Sequence, residues 1–334
     1  MKQCLLFIIL LSVFTISCTK EVQKINSDEV QWTAENVVYG VHERQSFSII
    51  LPKERKDVHA VVYIHGSAFF METSTKYSYP LFLTEFSDNN IFATVGYRLV
   101  CVCGCGSDIH YCDMLSDVHN ALVKIREYAN DKGYNVKDFI LVGHSAGANL
   151  ALMYSYNFLQ ENDGDGVKIA AVVSMAGPTD FSDNLAWFST LQWWGPAPIR
   201  LERFSLLASA LAGYPVELTQ SNWTLQDNYE FLFPFVKSIS PVMHVRDNNN
   251  IPPTLIIHAD AGDVWVPFEN ALSLNTELRK NNITHKFIIP GPPANNHILG
   301  GVIMSTPGSH SPIIYPERVT WIDEAKEWIR QFLD

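Results

Sequence analysis

One serine in this chain stands where a nucleophile would. The pentapeptide Gly143-His144-Ser145-Ala146-Gly147 lies between the apolar run Phe139-Ile140-Leu141-Val142 and the helix-forming run Ala148-Asn149-Leu150-Ala151-Leu152-Met153. A strand that turns tightly into a helix holds the intervening residue in a strained conformation, and flanking glycines keep neighbours from crowding it. The hydroxyl then projects above the end of a sheet. The N–H of Ala146 falls at a helix N-terminus, where donors and dipole both favour an anion. A hydroxyl attacks only once a base takes its proton, and a histidine base needs a carboxylate to orient it. Such a set performs acyl transfer.

At a strand-to-helix serine of this kind, the acid and then the histidine follow later in the chain. The loop after a strand at 254–258 offers Asp263 and Asp260, of which Asp263 is favoured; Asp260 can instead bond its own loop beside glycine. After the last strand comes Pro290-Gly291-Pro292-Pro293-Ala294-Asn295-Asn296-His297. Of eleven histidines, His297 is preferred because it alone follows that strand closely; His310, in the same long loop, is the alternative. His258 ends a strand and reads as a loop-bracing histidine, and His144 is the variable residue of the pentapeptide. The rest of an anion site is expected where the apolar run 60–64 enters His65-Gly66-Ser67-Ala68-Phe69-Phe70, with the backbone N–H groups of Ser67 and Ala68 joining that of Ala146.

These groups need a scaffold that brings distant loops to one edge. Short apolar runs at 37–39, 46–51, 60–64, 91–97, 139–143, 169–175, 254–258 and 286–289 alternate with helical patterns at 113–132, 146–159, 268–280 and 317–333. That rhythm predicts an α/β chain with a mostly parallel, eight-stranded sheet covered by helices on both faces, the first two strands antiparallel. Residues 181–245 break the rhythm with Trp187, Trp193, Trp194, Trp223 and several prolines, and read as an inserted cap over the carboxyl ends of the strands. Each of those tryptophans is as readily the core of the insert as part of a site.

The N-terminus has the layout of an export signal: Lys2, an apolar run 5–16, then Ser17-Cys18. A dozen apolar residues are short for a bilayer span, which takes about twenty. Thr15-Ile16-Ser17-Cys18 resembles the bacterial lipobox, so the expected division is a signal peptide 1–17, a lipid anchor on Cys18 with a polar tether 18–33, and a catalytic domain 34–334. That predicts an exported protein held on a membrane surface of the cell envelope. With 24 basic and 35 acidic residues, net charge −11, the chain is a poor partner for nucleic acid. Beyond Cys4 and Cys18, the cysteines are Cys101, Cys103, Cys105 and Cys112. An oxidising compartment favours one or two disulfides among them, with three possible connectivities, and no His-rich spacing beside them matches a zinc site.

In order along the chain, HGSAF (65–69), VGYRL (95–99), GHSAG (143–147), AGPTDF (176–181), SPVMHV (240–245), TLIIHADAGDVWVPFENA (254–271) and PGPPANNH (290–297) resemble the α/β-hydrolase carboxylesterases of the feruloyl/acetyl esterase-like (BD-FAE) and hormone-sensitive-lipase-like groups. The resemblance spans about 45–333. It implies the α/β-hydrolase fold, a Ser145, Asp263 and His297 triad, no cofactor, and a small ester as substrate, either short-chain acyl or a carbohydrate-linked acetyl or feruloyl group. Alignment from the Val266-Pro267 end places Asp263 on the family's catalytic acid. Three features depart from the pattern: Ser67 where glycine is usual, an acidic loop one residue longer before Asp263, and the cysteine cluster after VGYRL. A serine exopeptidase of the prolyl oligopeptidase type shares the fold, but 19–45 is too short for its extra N-terminal domain. A binding protein that keeps the fold without catalysis has no reason to retain all three competent side chains.

Overall fold

The computed structural model describes residues 32–53, 56–71, 79–102, 108–159, 165–182, 195–217, 229–246, 250–259, 263, 265–290 and 320–333. Eight strands form one sheet: β1 (Ala34–Val38), β2 (Ser46–Ile50), β3 (Asp57–Ile64), β4 (Ile91–Val95), β5 (Asn135–His144), β6 (Ile169–Met175), β7 (Thr254–Ile257) and β8 (His285–Ile288), in spatial order β1-β2-β4-β3-β5-β6-β7-β8. The pairs β1/β2 and β2/β4 are antiparallel and the others parallel. Both faces are covered, and the alternation of side chains along β3 shows it. Ala60, Val62 and Ile64 enter one apolar cluster, and Val61 and Tyr63 enter the other. This is the mostly parallel, helix-flanked, eight-stranded sheet that the sequence predicts.

The α-helices among the described residues are α1 (Tyr111–Asp131), α2 (Ala146–Met153), α3 (Ala197–Ala212), α4 (Tyr229–Ile239), α5 (Phe268–Lys280) and α6 (Thr320–Arg330). Several boundaries differ from the sequence reading. α1 begins two residues early because the Asp113 carboxylate accepts the backbone N–H of His110 at 2.9 Å, a capping interaction that histidine does not advertise. α2 passes at Tyr154–Phe158 into one π-helical turn where a single helix to 159 is expected. β5 runs from Asn135 because its first residues pair with Asp57 and Val58 of β3. The described parts of 181–245 carry α3, ended by Gly213 in the left-handed conformation (φ 78°), and α4. Phe204 and Leu207 of α3 pack with Phe181, Trp265 and Val266. Trp187, Trp193, Trp194 and Trp223, the N-terminal segment with Cys18, and Glu317 lie outside the described residues.

Register decides where loops emerge. Ile64 of β3 is level with Val95 of β4 and Gly143 of β5; His144 of β5 is level with Met175 of β6, and Met175 with Ile257 of β7. The loops that start at His65, Gly96, Ser145, Ala176 and His258 therefore leave from one edge of the sheet. In open parallel sheets, ligands bind at that edge.

Candidate active site

Ser145 sits between β5 and α2 with φ 53° and ψ −123°, a conformation that costs a non-glycine residue about 1–3 kcal/mol. The surrounding bonds hold it there. Its N–H donates to the Met175 carbonyl at 2.8 Å, and its own carbonyl accepts from Ala148 and Asn149 at 3.0 and 3.1 Å. The glycines explain themselves by distance. A Cβ on Gly143 would lie 2.3 Å from the Gly147 carbonyl oxygen, and one on Gly147 would lie 2.2 Å from that of Ile64. Ser145 is half-buried, and Ala146 opens α2, so its N–H has no partner within the helix.

The loop after β3 packs directly against the serine: a Cβ on Gly66 would lie 2.9 Å from Ser145 Cβ. Ala68 (φ 47°) and Phe69 (φ 68°) are both left-handed, and Ser67 is not among the positive-φ residues, so a side chain fits at 67 without backbone strain. Phe70 and Met71 donate to the Ser67 carbonyl at 3.2 and 2.8 Å, closing the turn. His65 is buried and stacks on Tyr97, with ring centroids 4.5 Å apart. Burial pulls its pKa down to about 3, so the imidazole is neutral at physiological pH.

Asp263 is buried, and its Oδ1 accepts the backbone N–H groups of Trp265 (2.8 Å) and Val266 (2.9 Å). Those bonds fix the carboxylate in a turn at the end of β7. Its Oδ2 lies 3.7 Å from His258 Nε2, and His258 Nδ1 lies 2.9 Å from the Ala259 carbonyl, so that histidine braces the same loop. Asp260, His297 and His310 lie outside the described residues. The structure thus brings Ser145, the 65–69 loop and Asp263 to the same edge of the sheet.

Three buried polar groups near this edge escaped the sequence reading. Asp117 on α1 is fully buried; it accepts from Arg98 Nε (2.9 Å), the Arg98 backbone N–H (2.9 Å) and Gln45 Nε2 (2.7 Å), which ties the loop after β4 to the helix. Its carboxylate in turn raises the Arg98 pKa. Asn149 on α2 accepts from the Tyr111 hydroxyl at 2.5 Å and donates to the carbonyls of Pro178 and Ile239, each at 2.8 Å. One amide thereby joins the serine's helix to α1, to the loop after β6 and to the end of α4. Asn270 on α5 accepts from the backbone N–H groups of Thr179 and Asp180, both at 2.8 Å. The strings VGYRL, AGPTDF and TLIIHADAGDVWVPFENA contain Arg98, Thr179-Asp180 and Asn270, but none of them names its partner.

The cysteines divide. Cys101 is disulfide-bonded, whereas Cys112 is a free thiol, so of the four candidate cysteines Cys112 takes no part in a bridge. Cys112 is the second residue of α1, with its side chain exposed to solvent. Cys103 and Cys105 lie outside the described residues. Among the described residues, no three His, Cys, Asp or Glu side chains gather as metal ligands.

Comparison with solved structures gives esterase B from Lactobacillus rhamnosis, with a TM-score of 0.64 and 16% identity over 93% of this chain and 87% of that one. The same esterase inhibited with a tributyrin phosphonate aligns at TM-score 0.61 and 15% identity, over 99% and 91%. A truncated form of a carbohydrate esterase from gut microbiota aligns at TM-score 0.55 and 20% identity, over 80% and 89%. At such identities the likeness is one of fold, the α/β-hydrolase fold. No curated protein matches the sequence. A family model described as BD-FAE matches residues 47–278.

Proposed function

Because the chain belongs to the BD-FAE family, we propose that this carboxylic ester hydrolase uses Ser145 as nucleophile, His297 as its general base and Asp263 to orient that histidine. Ser145 Oγ attacks the ester carbonyl as its proton passes to His297, and the carbonyl oxygen takes the charge beside the N–H groups of Ser67, Ala68 and Ala146. Collapse breaks the bond to the alcohol, which leaves with the proton from His297. Water then adds to the acyl-enzyme by the same route and releases the acid. No cofactor enters these steps.

The observation that carries the reading is the strained Ser145 backbone at the helix N-terminus, with the glycine of the 65–69 loop packed on its Cβ. The placement of Asp263 at the end of β7, with two backbone donors fixing one of its oxygens, supports its role. The preferred substrates are short-chain acyl esters or acetyl and feruloyl decorations on carbohydrate. Residues 181–245 form a cap over the site, and the packing of α3 against Trp265 and Val266 supports that role. Export as a lipoprotein acylated on Cys18 follows from the leader; Cys18→Ser then moves the protein from the membrane fraction to the soluble one.

Turnover of nitrophenyl acetate, butyrate and ferulate by wild type and by Ser145→Ala tests the reading. Loss of turnover by at least about a thousandfold supports it. Activity that survives the substitution overturns it.

A further inference from the structure

We propose that Tyr97 is a positioning residue for the oxyanion cradle, acting through a hydrogen-bonded chain from Ser67 to the Tyr97 hydroxyl to the His65 carbonyl. The inference rests on the reading of Ser67 and Ala68 as backbone donors. Tyr97 lies two residues past β4, whose last residue, Val95, is level with Ile64 at the end of β3. The turn from His65 to Phe69 therefore runs beside Tyr97, which is fully buried.

Proton accounting fixes the direction of the chain. A phenol has one proton, and a carbonyl can only accept. Tyr97 Oη lies 2.8 Å from the His65 carbonyl oxygen and donates to it. Ser67 Oγ, 3.1 Å from Tyr97 Oη, must then be the donor of the second bond. The Ser67 hydroxyl proton is committed to Tyr97 and is not offered to a substrate oxygen. The cradle is built from backbone N–H groups, and the side chain at 67, where the resemblance places glycine, serves as a pin.

The pin holds a strained turn. Ala68 and Phe69 are consecutive left-handed residues, and such a pair persists only where its surroundings over-determine it. The segment after β4 grips both ends of that pair: Tyr97 bonds the residues before it, and the Val100 N–H donates to the Phe69 carbonyl at 3.0 Å. The segment is itself anchored. Arg44 Nε donates to the Tyr97 carbonyl at 3.1 Å, Gly96 N–H donates to the Ser46 carbonyl at 2.9 Å, and Arg98 is clamped by buried Asp117. The face of His65 rests on the Tyr97 ring, and that imidazole is neutral, so no charge disturbs the stack. Because Gly66 is packed on Ser145 Cβ, a small displacement of 65–67 changes where the donors point relative to the nucleophile.

The test compares wild type, Tyr97→Phe, Ser67→Gly and the double variant. The readouts are kcat and KM for nitrophenyl acetate, the affinity of a trifluoromethyl ketone that adds to the serine as a tetrahedral mimic, and titration of reactive serines by the nitrophenol burst. The expected result for Tyr97→Phe is a kcat lower by roughly tenfold, a fraction of what removal of a whole oxyanion donor costs. KM stays within about twofold, affinity for the mimic falls by the same factor as kcat, and the titratable sites are undiminished. Ser67→Gly shows a smaller loss of the same kind, and the double variant is no worse than Tyr97→Phe, since the serine acts only through the phenol.

An unchanged kcat in both single variants overturns the inference. So does a loss that matches a loss of titratable sites, which marks misfolding, or additive losses in the double variant. If Tyr97→Phe does not fold, Ser67→Gly decides alone by the match between kcat and mimic affinity. Retention of activity in Ser145→Ala sinks the catalytic reading itself, whereas serine-dependent turnover that ignores Tyr97→Phe sinks only this one.

Discussion

Gly147→Ala perturbs the turn at its tightest point. The added Cβ would stand 2.2 Å from the Ile64 carbonyl oxygen and 2.4 Å from that of His65. A carbon and a carbonyl oxygen approach to about 3.3 Å, so the gap must open by about 1 Å. Both oxygens belong to backbone, one at the end of β3 and the other at the start of the 65–69 loop, so no side chain can swing aside. Overpacking of this kind costs about 1–3 kcal/mol, or a drop of about 2–6 °C in melting temperature for a domain of this size. Displacement of the loop by a similar amount costs kcat roughly a hundredfold. Circular dichroism melting and nitrophenyl acetate turnover measure the two effects. Gly166→Ala is the control: Gly166 is left-handed (φ 65°), which Gly147 is not, and its Cβ would meet only an Arg126 nitrogen at 3.6 Å. It loses about 1 kcal/mol of stability and no activity. A Gly147→Ala enzyme with kcat within twofold of wild type refutes the argument that this contact sets the cradle.

Asp117→Asn leaves the half-buried Arg98 beside a neutral partner and lowers stability by about 1–3 kcal/mol in urea denaturation; a loss below about 0.5 kcal/mol contradicts the clamp. Asn149→Ala strands the Tyr111 hydroxyl and two carbonyls, costing about 1–3 kcal/mol for a group left unsatisfied, with an earlier urea midpoint as the readout. His65 makes stability depend on acid. Burial lowers its folded pKa to about 3, while the unfolded chain takes up a proton near 6.5, so the unfolded state binds more protons between those values. Its contribution is therefore fully present above pH 6.5 and is lost as pH falls toward 3, and His65→Gln declines less steeply over that window. Parallel pH profiles of the urea midpoint for the two proteins contradict this.

The sheet was legible because its signals are local. Strands buried on both faces read as continuous apolar runs, and the serine turn carries its glycines within five residues. What stayed hidden depends on contacts between distant positions. Gln45 and Asp117 are 72 residues apart, and Asn149 and Ile239 are 90 apart, so no window of sequence records either bond. Tyr97 was seen as part of VGYRL, but its bonds to His65 and Ser67 depend on β4 lying beside β3, a neighbour relation that follows from sheet order. Helix ends missed for a related reason: His110 precedes α1 although the cap is supplied by Asp113 reaching back, and the π-helical turn after α2 has no composition of its own. Residues 291–319, with His297 and His310, lie outside the described structure, so the third member of the triad rests on chain order and family resemblance.

The identity of the nucleophile is tested most directly by covalent capture. Incubation with a nitrophenyl alkylphosphonate, followed by proteolysis and mass spectrometry, should place one phosphonyl group per chain on the peptide containing Ser145 as ester turnover falls to zero. A label on any other residue, or full turnover with Ser145 unlabelled, contradicts the account.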